Sequence, residues 1–181
     1  MRPPNFDAEH ILEAEQILKE VTASYPDYAE AWAARGIVES ALMRSDEALR
    51  CWNVALALKP GYAEVHGDIG AQLAQENDWE GAIEEFHRGL EIRDDIPILW
   101  INLCIAYAKT GKMKEAQDAY RRAAELSPNH AQLWRCLFNL RQRTESAKMR
   151  LESTKLRIRM LEMTPPEVLA LMPDEQFLDL W

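Results

Sequence analysis

Apolar and polar positions along this chain follow helical spacing, and the helical segments themselves recur in a fixed register. Trp32 and Trp100 stand 68 residues apart, twice 34, and Trp134 follows after another 34, with the ring of His66 at the intermediate position. Gly36 and Gly70 form a second column at the same period, continued by Cys104. Ala48, Ala82 and Ala116 form a third, with Ala14 one period earlier. Trp52, Phe86 and Tyr120 make an aromatic column preceded by Leu18, and Pro26, Pro60 and Pro128 a closing column broken at Asp94. Such a period predicts a stack of units, each burying its apolar face against its neighbours. The side chains favour helix: Gly is scarce at 7 of 181, and Ala, Leu, Glu, Gln, Lys and Arg outnumber β-branched residues.

Each column has a physical reason. Small residues at Gly36, Gly70 and Ala82 allow close backbone approach, aromatic residues fill the gaps between helices, and proline ends the second helix of each pair. Asp27 and Asp95 are placed to start the first helix of a pair. The pairs Asn77-Asp78 and Thr110-Gly111 mark turns between its two helices. Arg35 and Glu39 are polar where apolar residues are wanted, and their separation of four pairs them on one helix face.

These columns resemble the tetratricopeptide repeat (TPR) family over roughly residues 8–142. The resemblance implies an all-α solenoid of antiparallel helix pairs, with about three full repeats, half-repeats at both ends and a long C-terminal capping helix. The half-repeat covers 8–26 with its helix at 8–22, the full repeats cover 29–62, 63–96 and 97–130, and a fourth helix A covers 131–142. Residues 143–181 are then a basic capping helix and an acidic, aromatic tail.

In TPR proteins the helix A surfaces line a concave groove that receives peptides or helices. The matching positions here are Ala33, Ile37 and Ser40, then Asp68, Ala71 and Gln75, then Ile101, Asn102, Ile105 and Lys109, then Arg135, Asn139 and Arg143. Small and apolar side chains dominate the middle, and cations gather at one end. That implies a partner peptide or amphipathic helix with an acidic end, and it expects Ile37, Ile101 and Ile105 to be exposed aliphatics needing cover. The carboxylate clamp of co-chaperone TPR domains uses a Lys/Asn, Asn, Lys/Arg set, and none of the matching positions Ala33, Ile37, Asp68, Ile98 and Asn102 is basic. A register one repeat later places Gly67, Ala71, Asn102, Gln132 and Cys136 there, and only Asn102 fits.

Charge adds one asymmetry. The chain carries −9, yet between Arg135 and Arg159 eight basic residues meet only Glu145 and Glu152, leaving about −15 on the rest. Leu133, Leu137, Leu140, Thr144, Ala147, Leu151, Thr154, Ile158 and Leu161 follow heptad spacing through 131–163, as one helix or as two with a turn near 143–146. This segment covers the end of the stack, forms a coiled-coil contact, or offers a basic surface. Without interleaved aromatics, in an acidic protein, it weighs against a nucleic-acid role. In the tail, Phe177, Leu178 and Trp181 share one face, which either folds back onto the last helices or serves as a docking motif in cis or for self-association.

Chemistry is thin. No phosphate-binding loop, nucleophile elbow or His-Glu-x-x-His run is present, and the four histidines and three cysteines have no ligand spacing. The expectation is a non-enzymatic protein without cofactor or metal, with reduced thiols, cytoplasmic, and without a membrane span. Its work is then binding: an adaptor or scaffold, a chaperone-like holder of a client, or a homo-oligomeric assembly protein.

Overall fold

The computed structural model describes residues 6–128, and among them every regular element is an α-helix. The chain divides into two compact units, Met1–Asp94 and Asp95–Trp181. The first holds α1 (Phe6–Ser24), α2 (Ala29–Ala41), α3 (Ser45–Leu58), α4 (Ala63–Gln75) and α5 (Trp79–Ile92). The second, as far as it is described, holds α6 (Pro97–Thr110) and α7 (Met113–Leu126). The helices and heptads at 131–163 and the tail lie outside the described residues.

In the first unit α2 pairs with α3 and α4 with α5, while α1 lies against α2. In the second unit α6 pairs with α7. The helix starts differ from the expectation. The N-cap residues are Tyr28, Tyr62 and Ile96, not Asp27 and Asp95, and none of the three makes a side-chain cap. The aspartates stand one residue too early for their oxygens to meet the first-turn amides. Backbone carbonyls serve instead, with Tyr28 O accepting from Ala31 N, Tyr62 O from Val65 N and Ile96 O from Leu99 N. A side-chain cap does form on α5, where Asp78 Oδ1 accepts from Gly81 N at 3.0 Å.

The turns between paired helices share a hidden column. Met43, Asn77 and Gly111 follow at the 34-residue period, and all three have left-handed backbone, φ +61°, +66° and +80°. Glycine and asparagine accept that region readily, whereas methionine does not.

The glycine and aromatic columns meet in space. A Cβ at Gly36 would run into the Trp52 ring, and one at Gly70 would lie 2.5 Å from Phe86 Cε1. These glycines therefore admit a ring from the second helix of their own pair, rather than a neighbouring backbone. Trp52 is 2% exposed and its indole Nε1 donates to Ala33 O at 3.2 Å, so burial leaves no polar group orphaned. Around it Ala33, Ala48, Ala55, Val65 and Ile69 complete a core. The second unit keeps the columns with Cys104 and Tyr120, both buried.

Polar contacts tie the first unit together at its margins. Lys59 Nζ lies 2.8 Å from Glu30 Oε1, and Arg93 Nη1 lies 2.5 Å from Glu64 Oε1. Each is a residue just past the end of one helix reaching the first turn of the helix 29 residues earlier. Where α1 meets α2, the expected Arg35 and Glu39 pair is present at 3.6 Å, with Glu39 1% exposed. Arg44 Nη1 reaches Glu39 Oε2 at 3.0 Å and Glu15 Oε1 at 2.5 Å, and Arg35 Nη1 donates to Thr22 Oγ1. Hydrogen bonds from Lys19 and then Arg44 hold the Glu15 carboxyl below the usual range. Arg35 thus serves the fold.

Two substitutions test this packing by urea unfolding. Gly70→Ala should destabilise by roughly 1–3 kcal/mol, because the rigid Phe86 ring must shift. Met43→Gly should stabilise by about 0.5–1 kcal/mol, because Met43 is 84% exposed and its left-handed backbone strain is relieved.

Candidate functional site

In the first unit α2 touches α4, while the outer helices α3 and α5 make no comparable contact. The first helices of the pairs therefore lie on the inner side of this unit, and the expected binding positions can be placed on them. Short turns make α2 antiparallel to α3 and α3 antiparallel to α4, so α2 and α4 run side by side in the same direction.

Ser40 and Gln72 fix their register. Ser40 Oγ donates to Gln72 Oε1 at 2.6 Å, and Gln72 Nε2 donates to Ser45 Oγ and Glu76 Oε1 at 2.7 and 2.8 Å. Gln72 is 4% exposed and fully engaged, so Ser40 is occupied by the fold. Sequence reading missed Gln72. The one available signal was a buried-face polar residue between Ile69 and Leu73.

Ile37 lies three residues before Ser40, and Asp68 four before Gln72, which places both about one turn back from that hydrogen bond. Ile37 is 52% exposed. Ala71 and Asp68 are half-buried, Gln75 is exposed, and Ala33 is buried in the core. Asp68 holds its proton more readily than an ordinary carboxyl. Burial first, and the neighbouring Glu64 carboxylate second, push its pKa up to about 6. Glu64 itself is tied to Arg93.

The second unit departs from the expected exposure. Ile101 is 0% and Ile105 9% exposed, so neither is an open aliphatic. The reason lies in α6 as a whole. Leu99, Ile101, Leu103, Cys104, Ile105, Ala106 and Ala108 are all buried, and a helix apolar all round is an interior helix. Asn102 is half-buried and Lys109 is exposed. Arg135, Asn139, Arg143, Phe177, Leu178 and Trp181 lie outside the described residues.

Other chemistry is sparse here. Cys51 and Cys104 are buried thiols, with burial as the main cause pushing the Cys51 thiol up. Among the described residues no three His, Cys, Asp or Glu are grouped to hold a metal ion. No helix among them is long and apolar enough to cross a membrane.

Comparison with known proteins agrees with this architecture. The family model described as "Tetratricopeptide repeat" matches residues 97–130. The chain has the tetratricopeptide-repeat fold. It is 25% identical over 133 residues to "Anaphase-promoting complex subunit 3" of Schizosaccharomyces pombe, covering 74% of this chain. It spans only 20% of that relative's length. Among solved structures, MamA 41-end from Desulfovibrio magneticus RS-1 superposes with a TM-score of 0.68 at 17% identity, over 84% of each chain. The Arabidopsis OM64 TPR domain superposes with a TM-score of 0.60 at 16% identity, over 64% of this chain and 96% of that one. At these identities the structures speak for the TPR fold alone.

The Asp68 carboxyl gives a pH-dependent prediction. Its folded pKa of about 6 lies above the ordinary 3.8, so folding favours the protonated form, and its contribution to stability is lost as pH rises through 6. Asp68→Asn should therefore stabilise the protein at pH 8, by an amount of order 1–3 kcal/mol. That advantage should shrink steadily between pH 7 and pH 4 in thermal unfolding.

Proposed function

We propose that this TPR protein is a non-catalytic adaptor that holds a peptide or helix of a partner protein on the inner surface of its first unit. The carrying observation is Ile37, an aliphatic side chain 52% exposed on an inner helix, beside positions the fold has already filled. An exposed aliphatic on α2, with Ala71 and a half-buried carboxylate on the parallel helix α4, gives a partner an apolar anchor with polar surroundings. The wider TPR family binds other proteins through its helical repeats, and the fission-yeast relative is by its name a subunit of a larger complex. Solvated helix faces and engaged carboxylates such as Glu15, Glu30 and Glu64 leave little for catalysis.

Ile37→Asp tests the surface, with Leu58→Asp on the outer helix α3 as control, since Leu58 is 41% exposed. Both variants should keep wild-type circular dichroism. Partners captured by the wild type and the control should bind Ile37→Asp at least about tenfold more weakly. Equal retention by all three proteins would move the site away from α2. The buried Ile101 and Ile105 are unsuitable for this test, because a charge there would act on folding.

A further inference from the structure

Asp68 is the unusual group on the inner surface of the first unit. It has no hydrogen-bond or ion-pair partner among the described residues, although carboxylates nearby are engaged: Glu64 with Arg93, Glu30 with Lys59, Glu76 with Gln72. Its position, one turn back from the Ser40 and Gln72 hydrogen bond, is shared on the parallel helix by the exposed Ile37. Between residues 1 and 94 there are eight Lys or Arg against nineteen Asp or Glu, a net −11. An approaching polypeptide therefore meets a negative field, an aliphatic anchor and one carboxylate left without a counter-ion.

We propose that this surface selects a partner segment in which a lysine or arginine stands beside aliphatic side chains, the cation meeting Asp68 and an aliphatic side chain covering Ile37 and Ala71. The inference rests on the adaptor reading above and narrows it to one class of partner. Charge complementarity decides the class. An acidic segment would be repelled by Asp68 and by the surrounding excess of carboxylates, whereas a wholly apolar one would desolvate Asp68 without compensation. With its pKa near 6, Asp68 is still mostly ionised at neutral pH and lowers the stability of the free protein. A residue that weakens the free fold and is relieved by a ligand is placed for binding. A charge-assisted hydrogen bond in a half-buried setting is also stronger than one between neutral groups, so one cation discriminates well.

A phage-displayed random peptide library tests this on four full-length proteins: wild type, Ile37→Asp, Asp68→Asn and Asp68→Lys, each confirmed folded by circular dichroism. Wild type should enrich sequences with Lys or Arg adjacent to Leu, Ile or Val. A synthetic peptide of the enriched sequence should bind Asp68→Asn about tenfold more weakly in fluorescence anisotropy, and replacing its cation by norleucine should give the same loss. Asp68→Lys should enrich acidic residues instead. Enrichment without basic residues, or equal affinity for wild type and Asp68→Asn, overturns the partner class while leaving the adaptor reading intact if Ile37→Asp still abolishes binding. Binding unaffected by Ile37→Asp, or no enrichment by wild type, overturns the adaptor reading itself. Dimerisation in sedimentation that is lost in Asp68→Asn would make a second copy the occupant and overturn the proposal in favour of self-association.

Discussion

A ring seated on a glycine sets the spacing of the helix pairs in the first unit. The Trp52 ring occupies the volume where Gly36 would carry a Cβ, and Phe86 does the same at Gly70. Neither partner works alone. Without the glycine the aromatic would be pushed outward and the hairpin would splay. Without the aromatic, an empty space would sit at the centre of the core formed by Ala33, Ala48, Ala55 and Val65. Once the distance is fixed, the remaining positions have little choice. Alanine columns become the lining of a tight interface, and the chain past each second helix comes within reach of the start of the first helix of the same pair, where Lys59 and Arg93 find Glu30 and Glu64.

The polar cluster at α1 and α2 is a second way of filling the same kind of space. Glu39 is buried where the repeat ordinarily wants a large apolar side chain, and Arg35, Arg44, Glu15 and Thr22 gather round it. Buried charges are tolerated when their partners come with them, and removing one partner strands the others. This end of the array is thus specified by charge pairing, and the rest of the first unit by shape. The inner surface shows the complementary situation, in which Asp68 is left with no such company.

Much of this was readable from periodicity, because each repeat imposes the same demand at the same position. The 34-residue columns gave the helix pairs and the aromatic sites, and a separation of four gave the Arg35 and Glu39 pair. What stayed hidden had no residue-level signature. Met43 adopts left-handed backbone that methionine rarely accepts, so only its place in the column with Asn77 and Gly111 marks it. Asp27 and Asp95 carry the right side chain for capping at the wrong position by one residue, a distinction finer than pattern can make. Family register assigned Ile37, Asp68 and Ala71 to α2 and α4, the two first helices of pairs that touch each other. It overlooked that α6 is apolar on every side, and so treated the buried Ile101 and Ile105 as open. Asp68 was legible as a residue but not as an unpaired one, since pairing depends on neighbours from other helices.

The locks between glycine and ring also govern time. Gly36 and Trp52 are 16 residues apart, as are Gly70 and Phe86, so each contact closes within a single helical hairpin. Contacts that join residues near in sequence need little chain to be brought together, and proteins dominated by them fold quickly. A hairpin of this chain can therefore find its own spacing before its neighbours have formed, leaving the next hairpin an assembled face to condense upon. The same locality implies that a fault in one hairpin slows that step and leaves the others free to nucleate, so the order of assembly is written in the placement of four residues.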